Sequence, residues 1–314
     1  MAVSLGFVFP GQGAQAVGML SEFAKVEPSI QARFAEAANV INAPIDEYVW
    51  QGPEETLNLT EFTQPAVLTA SVALWEVWQN RGGARPALLA GHSLGEYSAL
   101  VCAGALSFAE GVKLVHLRGQ YMQQAVAPGE GAIAAILGLT DEQIGQCCEQ
   151  APGLVSPANY NAPGQVAIAG EHAAVVAAIE LCKSEGAKRA VMLNLSVPVH
   201  CALMSPAGEQ LQAAIEDCDL QMPQIPIVHN VDAQVAETLD TLKAKLLGQL
   251  ASPVQWTACV QQMSALGVKR AVECGPGKVL TGLVKRIDRS LPVTQTDSDE
   301  AMTGSLAANS GAQA

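Results

Sequence analysis

The segment Ala87–Leu100, ALLAGHSLGEYSAL, decides the fold of this chain. It begins with a short apolar run and continues through GHSLG at 91–95, a GxSxG motif, into a helical pattern. A strand that turns sharply into a helix lifts the central serine hydroxyl into the open, and flanking glycines leave room for the turn. The start of the helix also favours developing negative charge. The pattern predicts that Ser93 is a nucleophile on an α/β sheet.

Strand-like apolar runs alternate with helical patterns on both sides of this segment, which favours an α/β fold with a mainly parallel sheet. In mid-chain the order becomes strand, helix, strand, strand, helix, strand, which is the ferredoxin-like order. We therefore predict a large α/β-hydrolase-like domain with a parallel sheet from residues 1–127 and 198–296. A ferredoxin-like small domain is inserted between them at 128–197. The small, polar residues 297–314 predict a disordered tail.

The composition limits the functions that are open to the chain. It has 314 residues, 49% of them hydrophobic, and a formal net charge of −13. Nucleic-acid binding needs a basic surface, so a nucleic-acid partner is not expected. Neither a secretory signal nor a membrane span is expected, because the N-terminus MAVSLGFVFPGQG has no basic region and no long apolar stretch is uninterrupted. Eight cysteines without CxxC spacing fit reduced thiols in the cytoplasm.

A nucleophilic serine needs a general base, and the chain has five histidines. His200 lies in a proline-stiffened loop where the chain leaves the inserted segment, and such loops often carry catalytic side chains. Elimination of the other four favours His200 without settling the choice. Asp141 is the only aspartate between Ser93 and His200, and it fits the start of a helix better than a catalytic triad. A backbone carbonyl or amide could orient the imidazole instead.

Arg118 lies in a mostly apolar helical segment, 112–122, with no carboxylate three or four positions away. Two interpretations stay open. In one, the arginine snorkels to the surface or pairs with a distant acid. In the other, it binds the free carboxylate of a substrate. The turn PGQG at 10–13 exposes backbone N–H groups that could complete an oxyanion hole with that of Leu94, although an ordinary turn is the simpler interpretation.

Taken together, eight stretches closely resemble the malonyl-coenzyme A:acyl carrier protein transacylases of type II fatty acid synthesis. The resemblance covers residues 3–296. The stretches are FVFPGQGAQ at 7–15, LTEFTQPAV at 59–67, GHSLGEYSAL at 91–100, LVHLRGQYMQ at 114–123, NYNAPGQVAIAG at 159–170, VPVHCALM at 197–204, QLASPVQW at 249–256 and ECGPGKVLTGL at 273–283.

The resemblance implies a role for each matching residue. It makes Ser93 the nucleophile, His200 its base and Arg118 the group that binds the malonyl carboxylate. It also implies that the backbone carbonyl of Gln249 orients His200, which accounts for the missing triad aspartate. The backbone N–H groups that it assigns to the oxyanion hole are those of Gln12 and Leu94. A polar role for Asn159 or Asn161 is implied more weakly.

The implied substrates are malonyl-CoA and a holo acyl carrier protein, with no cofactor or metal and no need for more than a monomer. Val199 departs from the family pattern, which often has serine before the histidine, and this leaves the fine acyl preference open. Carrier proteins of this type are acidic, so an acidic enzyme needs a local basic surface. The sequence offers Lys183, Lys188, Arg189, Lys285, Arg286 and Arg289.

Three alternatives remain at the level of sequence. A serine esterase or lipase uses the same GxSxG motif, although the absent triad acid and Arg118 count against it. A binding or scaffold module with an inactive site is the second. Within the family, the chain could serve a polyketide pathway or a malonate decarboxylase instead of fatty acid synthesis.

Overall fold

Two sheets and their helices form the part of the chain that the structure, a computed structural model, describes, residues 4–193 and 197–311. The strands are β1 Ser4–Phe9, β2 Leu88–Gly91, β3 Gly131–Leu137, β4 Val155–Ala162, β5 Gln165–Glu171, β6 Arg189–Met192, β7 Ile227–Val228, β8 Val268–Glu273 and β9 Val293–Gln295. The helices are α1 Ser21–Val26, α2 Pro28–Ile41, α3 Ile45–Gln51, α4 Glu54–Leu57, α5 Thr60–Asn80, α6 Gly95–Cys102, α7 Phe108–Ala125, α8 Asp141–Gln150, α9 His172–Ser184, α10 Ser205–Asp217, α11 Leu239–Gln249, α12 Trp256–Ala265, α13 Val279–Ile287 and α14 Asp299–Asn309.

The larger sheet is parallel, with the strand order β7-β2-β1-β8-β9. Its central strand β1 is apolar and almost wholly buried, as expected for a strand that is covered on both faces. Phe9 at the end of β1 lies opposite Gly91 at the end of β2. The loop after β1 and the turn after β2 therefore leave the sheet side by side, at the edge where α/β proteins place their sites.

Helix α5 supplies much of the core beside this sheet and packs along α7. Trp75 and Trp78 of α5 meet the ring of Phe7 edge-on, with ring centroids 5.2 Å apart in both pairs. Although α5 is 21 residues long and largely buried, no helix among the described residues is long and apolar enough to cross a membrane.

The smaller sheet is antiparallel, with the strand order β4-β5-β3-β6. Its chain order is β3, α8, β4, β5, α9, β6, as the sequence predicts. The predicted fold class is confirmed, because a parallel sheet and a small antiparallel sheet occur in one α/β chain. The assignment of 128–197 as a domain, separate from 1–127 and 198–296, stays a prediction.

The prediction of a disordered tail at 297–314 is wrong for most of that segment. Helix α14 occupies Asp299–Asn309, and its first turn is capped by the Ser298 hydroxyl, which accepts a hydrogen bond from the Ala301 N–H at 3.1 Å. Met302 is fully buried, and Asp299 pairs with Arg81 at 2.6 Å. These contacts with distant parts of the chain stabilise a helix that its local composition does not indicate. Residues 312–314 lie outside the described residues.

Candidate active site

Ser93 lies at the sharp turn between β2 and α6, and its backbone is in the left-handed region with φ 53°. A Cβ at Gly91 would come within 1.9 Å of the carbonyl carbon of Gly95. A Cβ at Gly95 would come within 2.0 Å of the carbonyl oxygen of Phe9. Both flanking positions of the GxSxG motif therefore require glycine, and the turn exposes the serine as that motif predicts.

The structure brings Ser93 and His200 together. The Ser93 hydroxyl lies 2.7 Å from His200 Nε2, and His200 Nδ1 lies 2.8 Å from the backbone carbonyl oxygen of Gln249. A carbonyl oxygen can only accept, so Nδ1 carries the proton and Nε2 is free to accept the serine proton. The carbonyl of Gln249 thus occupies the place that an aspartate has in a catalytic triad.

The environment of His200 keeps its imidazole neutral. Burial, assisted by the positive charge of Arg118, lowers the pKa of His200 to about 3, against the effect of its hydrogen bond to Gln249. A neutral imidazole is the form that can act as a general base, so the histidine is ready at pH 7. His200 itself has φ 60°, a strained backbone that recurs at functional sites.

Arg118 is buried, with only 1% of its surface exposed, so the snorkelling interpretation is wrong. Its Nη1 donates to the side-chain oxygen of Gln64 at 2.8 Å, and its Nη2 donates to the side-chain oxygen of Gln249 at 2.9 Å. Its Nη2 also lies 3.3 Å from the Ser93 hydroxyl. Both amide partners are neutral, and among the described residues no carboxylate pairs with this guanidinium. Among the described residues, the buried cation therefore faces Ser93 with neutral amides as its hydrogen-bond partners and no directly paired carboxylate.

Gln12 and Leu94 lie beside the nucleophile, on the loop after β1 and at the start of α6, and both line the same cavity as Ser93. Across residues 4–193 and 197–311, neither of their backbone N–H groups has a hydrogen-bond acceptor. Unpartnered N–H groups at this position can donate hydrogen bonds to a developing oxyanion.

Comparisons with known proteins identify the family of the chain. The acyl transferase domain model matches residues 6–313. The malonyl CoA-acyl carrier protein transacylase of Escherichia coli K12 is 51% identical over 302 residues, which cover 96% of this chain and 98% of that protein.

The chain belongs to this transacylase family. A solved acyl carrier protein S-malonyltransferase from Vibrio cholerae superposes with a TM-score of 0.93 at 51% identity, over 96% of this chain and 99% of that one. A malonyl-transacylase solved in complex with the acyl-carrier protein of a type II PKS superposes with a TM-score of 0.96 at 47% identity, over 98% of this chain and 100% of that one.

The cavity of this transacylase has a volume of about 160 Å³ and lies where the two sheets meet. The larger sheet contributes the polar groups described above, and the smaller sheet contributes Ile133, Asn159, Asn161 and Ala167. The side-chain oxygen of Asn161 accepts a hydrogen bond from the ring Nε2 of His92 at 2.8 Å, whereas the buried Asn159 side-chain oxygen has no partner among the described residues. Val199, the residue that departs from the family pattern, also lines the cavity.

Sequence reasoning misses the amides and the carboxylate that surround the transacylase site. Gln64 and the side chain of Gln249 hold Arg118, and Asn230 accepts a hydrogen bond from the Ser93 N–H at 2.7 Å. Glu96, three residues after the nucleophile, is also buried. A glutamate in the first turn of an apolar helix is the one signal in the sequence that could have indicated this network.

Proposed function

We propose that this chain transfers a malonyl group from malonyl-CoA to the phosphopantetheine thiol of an acyl carrier protein, through an ester on Ser93. The observation that carries the proposal is Arg118, a buried guanidinium 3.3 Å from the Ser93 hydroxyl that has no carboxylate partner among the described residues. The terminal carboxylate of a malonyl group supplies the missing negative charge and can bind the guanidinium through two oxygens.

In the first half-reaction, His200 takes the Ser93 proton as the serine oxygen attacks the malonyl thioester carbonyl. The N–H groups of Gln12 and Leu94 stabilise the resulting oxyanion, and removal of one such donor typically costs about two to three powers of ten in rate. The carbon–sulfur bond breaks, and the protonated His200 returns its proton to the departing coenzyme A thiolate. Malonyl-Ser93 remains.

In the second half-reaction, the carrier thiol enters and the same steps run in reverse, which makes the kinetics ping-pong. His200 takes the thiol proton, the sulfur attacks the ester carbonyl, and the Ser93 oxygen leaves and recovers the proton. Support for a carrier-protein thiol as the acceptor comes from the family and from the related malonyl-transacylase that was solved with an acyl-carrier protein.

The experiment that tests this function is intact-mass spectrometry after mixing with malonyl-CoA. We expect one malonyl adduct on the wild-type chain, none on Ser93→Ala, and loss of the adduct when holo acyl carrier protein is added but not when its apo form is added. An inactive scaffold forms no adduct. An esterase loses the adduct to water at the same rate with and without the carrier, and this result would contradict the proposal.

Fatty acid elongation is the pathway that we propose for the malonyl carrier product. The solved relative in complex with a type II PKS carrier favours a second candidate, supply of malonyl units to a polyketide synthase. Turnover with the two kinds of carrier, compared at equal concentration, decides between them.

We also propose that the enzyme works in the cytoplasm as a monomer. All eight cysteines are free thiols, which supports a reducing compartment. Ser93, His200 and Arg118 lie together within a single chain, which supports catalysis by one copy.

A further inference from the structure

A buried carboxylate lies beneath the candidate active site and is not explained by the proposed chemistry. Glu96, in the first turn of α6, is 1% exposed. One of its oxygens lies 2.5 Å from His229 Nδ1. The other accepts from the backbone N–H of Asn230 at 3.1 Å and from the side-chain amide of Gln249 at 2.9 Å. Because burial of a carboxylate is costly, three donors converge on it.

Gln249 connects this carboxylate to both reacting groups. Its amide nitrogen donates to Glu96 and, at 3.0 Å, to the backbone carbonyl of Ser93. With both amide hydrogens turned toward these acceptors, the amide oxygen must face the other way, where it accepts from Arg118 at 2.9 Å. The backbone carbonyl of the same residue accepts from His200 Nδ1 at 2.8 Å. One residue therefore fixes the base and the cation together.

We propose that Glu96 is a positioning residue, which aligns His200 and Arg118 by fixing the side-chain amide of Gln249. The proposal rests on the proposed function, since it assigns Glu96 a part in malonyl transfer. A carboxylate suits this position because it only accepts hydrogen bonds, so it fixes which end of the Gln249 amide faces Arg118. A flipped amide would turn its N–H groups toward the guanidinium, and two sets of donors would then face each other.

Glu96→Gln tests this role because the new amide can accept hydrogen bonds from only some of the three donors that surround Glu96. Its oxygen can serve either His229 or the Asn230 and Gln249 donors, and its NH₂ group then faces donors on the other side. We expect malonylation of Ser93 to slow by about tenfold or more, as when a hydrogen bond to a charged group is lost. We also expect the malonyl-to-acetyl preference to fall severalfold, because Arg118 loses its fixed orientation.

Glu273→Gln is the matched control for burial. Glu273 is also fully buried and accepts hydrogen bonds from the N–H groups of Leu280 and Thr281 and from the Thr281 hydroxyl. Within residues 4–193 and 197–311, no side-chain hydrogen bonds link its carboxylate to His200 or Arg118. Substitution of a glutamate that has only a structural role lowers the free energy of unfolding and leaves the malonyl-to-acetyl preference unchanged. An unchanged ratio in Glu96→Gln, as in this control, overturns the proposal.

A double-mutant cycle that combines Glu96→Gln with Gln249→Met tests whether Glu96 acts through the Gln249 amide. If Glu96 acts through the Gln249 amide, the double variant malonylates Ser93 no more slowly than Gln249→Met alone, to within about twofold. If the rate effects of Glu96→Gln and Gln249→Met instead multiply in the double variant, the proposal is overturned. Should Glu96→Gln not fold, Gln249→Met decides alone, because it keeps the backbone carbonyl and removes the amide; an unchanged ratio then overturns the proposal. A wild-type chain that forms no malonyl-Ser93 contradicts the proposed function instead.

Discussion

At the scale of single residues, strain is concentrated where the proposed chemistry takes place. Ser93 and His200 both have positive φ, at 53° and 60°, and neither is a glycine. Such conformations cost on the order of 1–3 kcal/mol each and persist only where the surrounding structure holds them. Here the Ser93 N–H is held by Asn230 and the imidazole by Gln249. The Asn230 side chain and the Gln249 backbone carbonyl thus maintain a 2.7 Å contact between the Ser93 hydroxyl and His200 Nε2.

We expect Arg118→Ala to shift preference from malonyl-CoA toward acetyl-CoA. Without the guanidinium, the malonyl carboxylate must leave water with no partner, while the acetyl group has no such requirement. The ratio of kcat/KM for the two substrates should fall by about 10- to 100-fold, the factor that a hydrogen bond to a charged group represents. Competition assays measure the ratio directly.

Arg81→Ala is the control for loss of an arginine, because Arg81 is paired with Glu27 and Asp299 and does not line the cavity. Its ratio should equal that of the wild-type chain. Retention of the full malonyl preference in Arg118→Ala would exclude the carboxylate-binding role.

The rate of Ser93 malonylation should be nearly independent of pH between 7 and 5. Burial and the charge of Arg118 lower the pKa of His200 to about 3, so the imidazole stays neutral throughout this range. A histidine with an ordinary pKa of 6.5 would lose about thirtyfold of its base form by pH 5. Single-turnover kcat/KM, with folding checked by circular dichroism at each pH, measures the profile. An acid limb with its midpoint near 6.5 would refute the assignment of His200 as a buried base.

At the scale of elements, local sequence patterns predict the strands and helices around Ser93 but do not predict the helix near the C-terminus. The strand-turn-helix at 87–100 is predictable because its motif is local: Gly91 is required by the backbone of Gly95 and Glu96, a few residues away. The requirement for glycine at 95 comes from Phe9 on the neighbouring strand and is visible only in the fold. Helix α14 is not predictable in this way, because Asp299 pairs with Arg81, 218 residues away, and Met302 is buried in the main core. The same reason explains why the partners of Arg118 were missed.

We expect Met302→Ala in α14 to lower the free energy of unfolding by about 2–5 kcal/mol, as for other fully buried large-to-small changes. The lost contacts are those with the main core, to which Met302 belongs. Urea denaturation measures the effect. Thr303→Ala, at an exposed neighbouring position, should change the free energy of unfolding by no more than about 0.5 kcal/mol. Equal effects of the two variants would mean that α14 does not pack against the core.

At the scale of the whole molecule, the active site belongs to neither sheet alone. Its nucleophile follows β2 of the parallel sheet, while Ile133 and Asn161 reach the cavity from β3 and β4 of the antiparallel sheet. A second cavity of about 200 Å³ shares Gln12, His92 and Asn161 with the first and extends to Leu283 of α13. The sequence predicts the two parts separately, but it carries no signal of how they meet.

Because the chain has a net charge of −13, its surface as a whole repels an acidic carrier protein. Exposed Lys285 and Arg286 lie on α13, which borders the second cavity, and Arg286 donates to the Gln165 side chain at 2.6 Å across to β5. Because Gln165 lines the second cavity, Arg286 lies beside that cavity, and Lys285 is its neighbour on the same helix. Complementary charge acts mainly on the rate of encounter and is weakened by salt.

We therefore expect Lys285→Glu and Arg286→Glu to raise the KM for holo acyl carrier protein severalfold and to make it less dependent on salt. Lys269→Glu makes the same change of charge on an exposed side chain near the start of β8, at the opposite edge of the sheet from Ser93, and should leave this KM unaltered. Steady-state transfer at several salt concentrations, with malonyl-CoA saturating, gives the KM values. If all three variants keep the wild-type KM and salt dependence, the carrier docks elsewhere, and Lys183, Lys188 and Arg189 become the next surface to reverse.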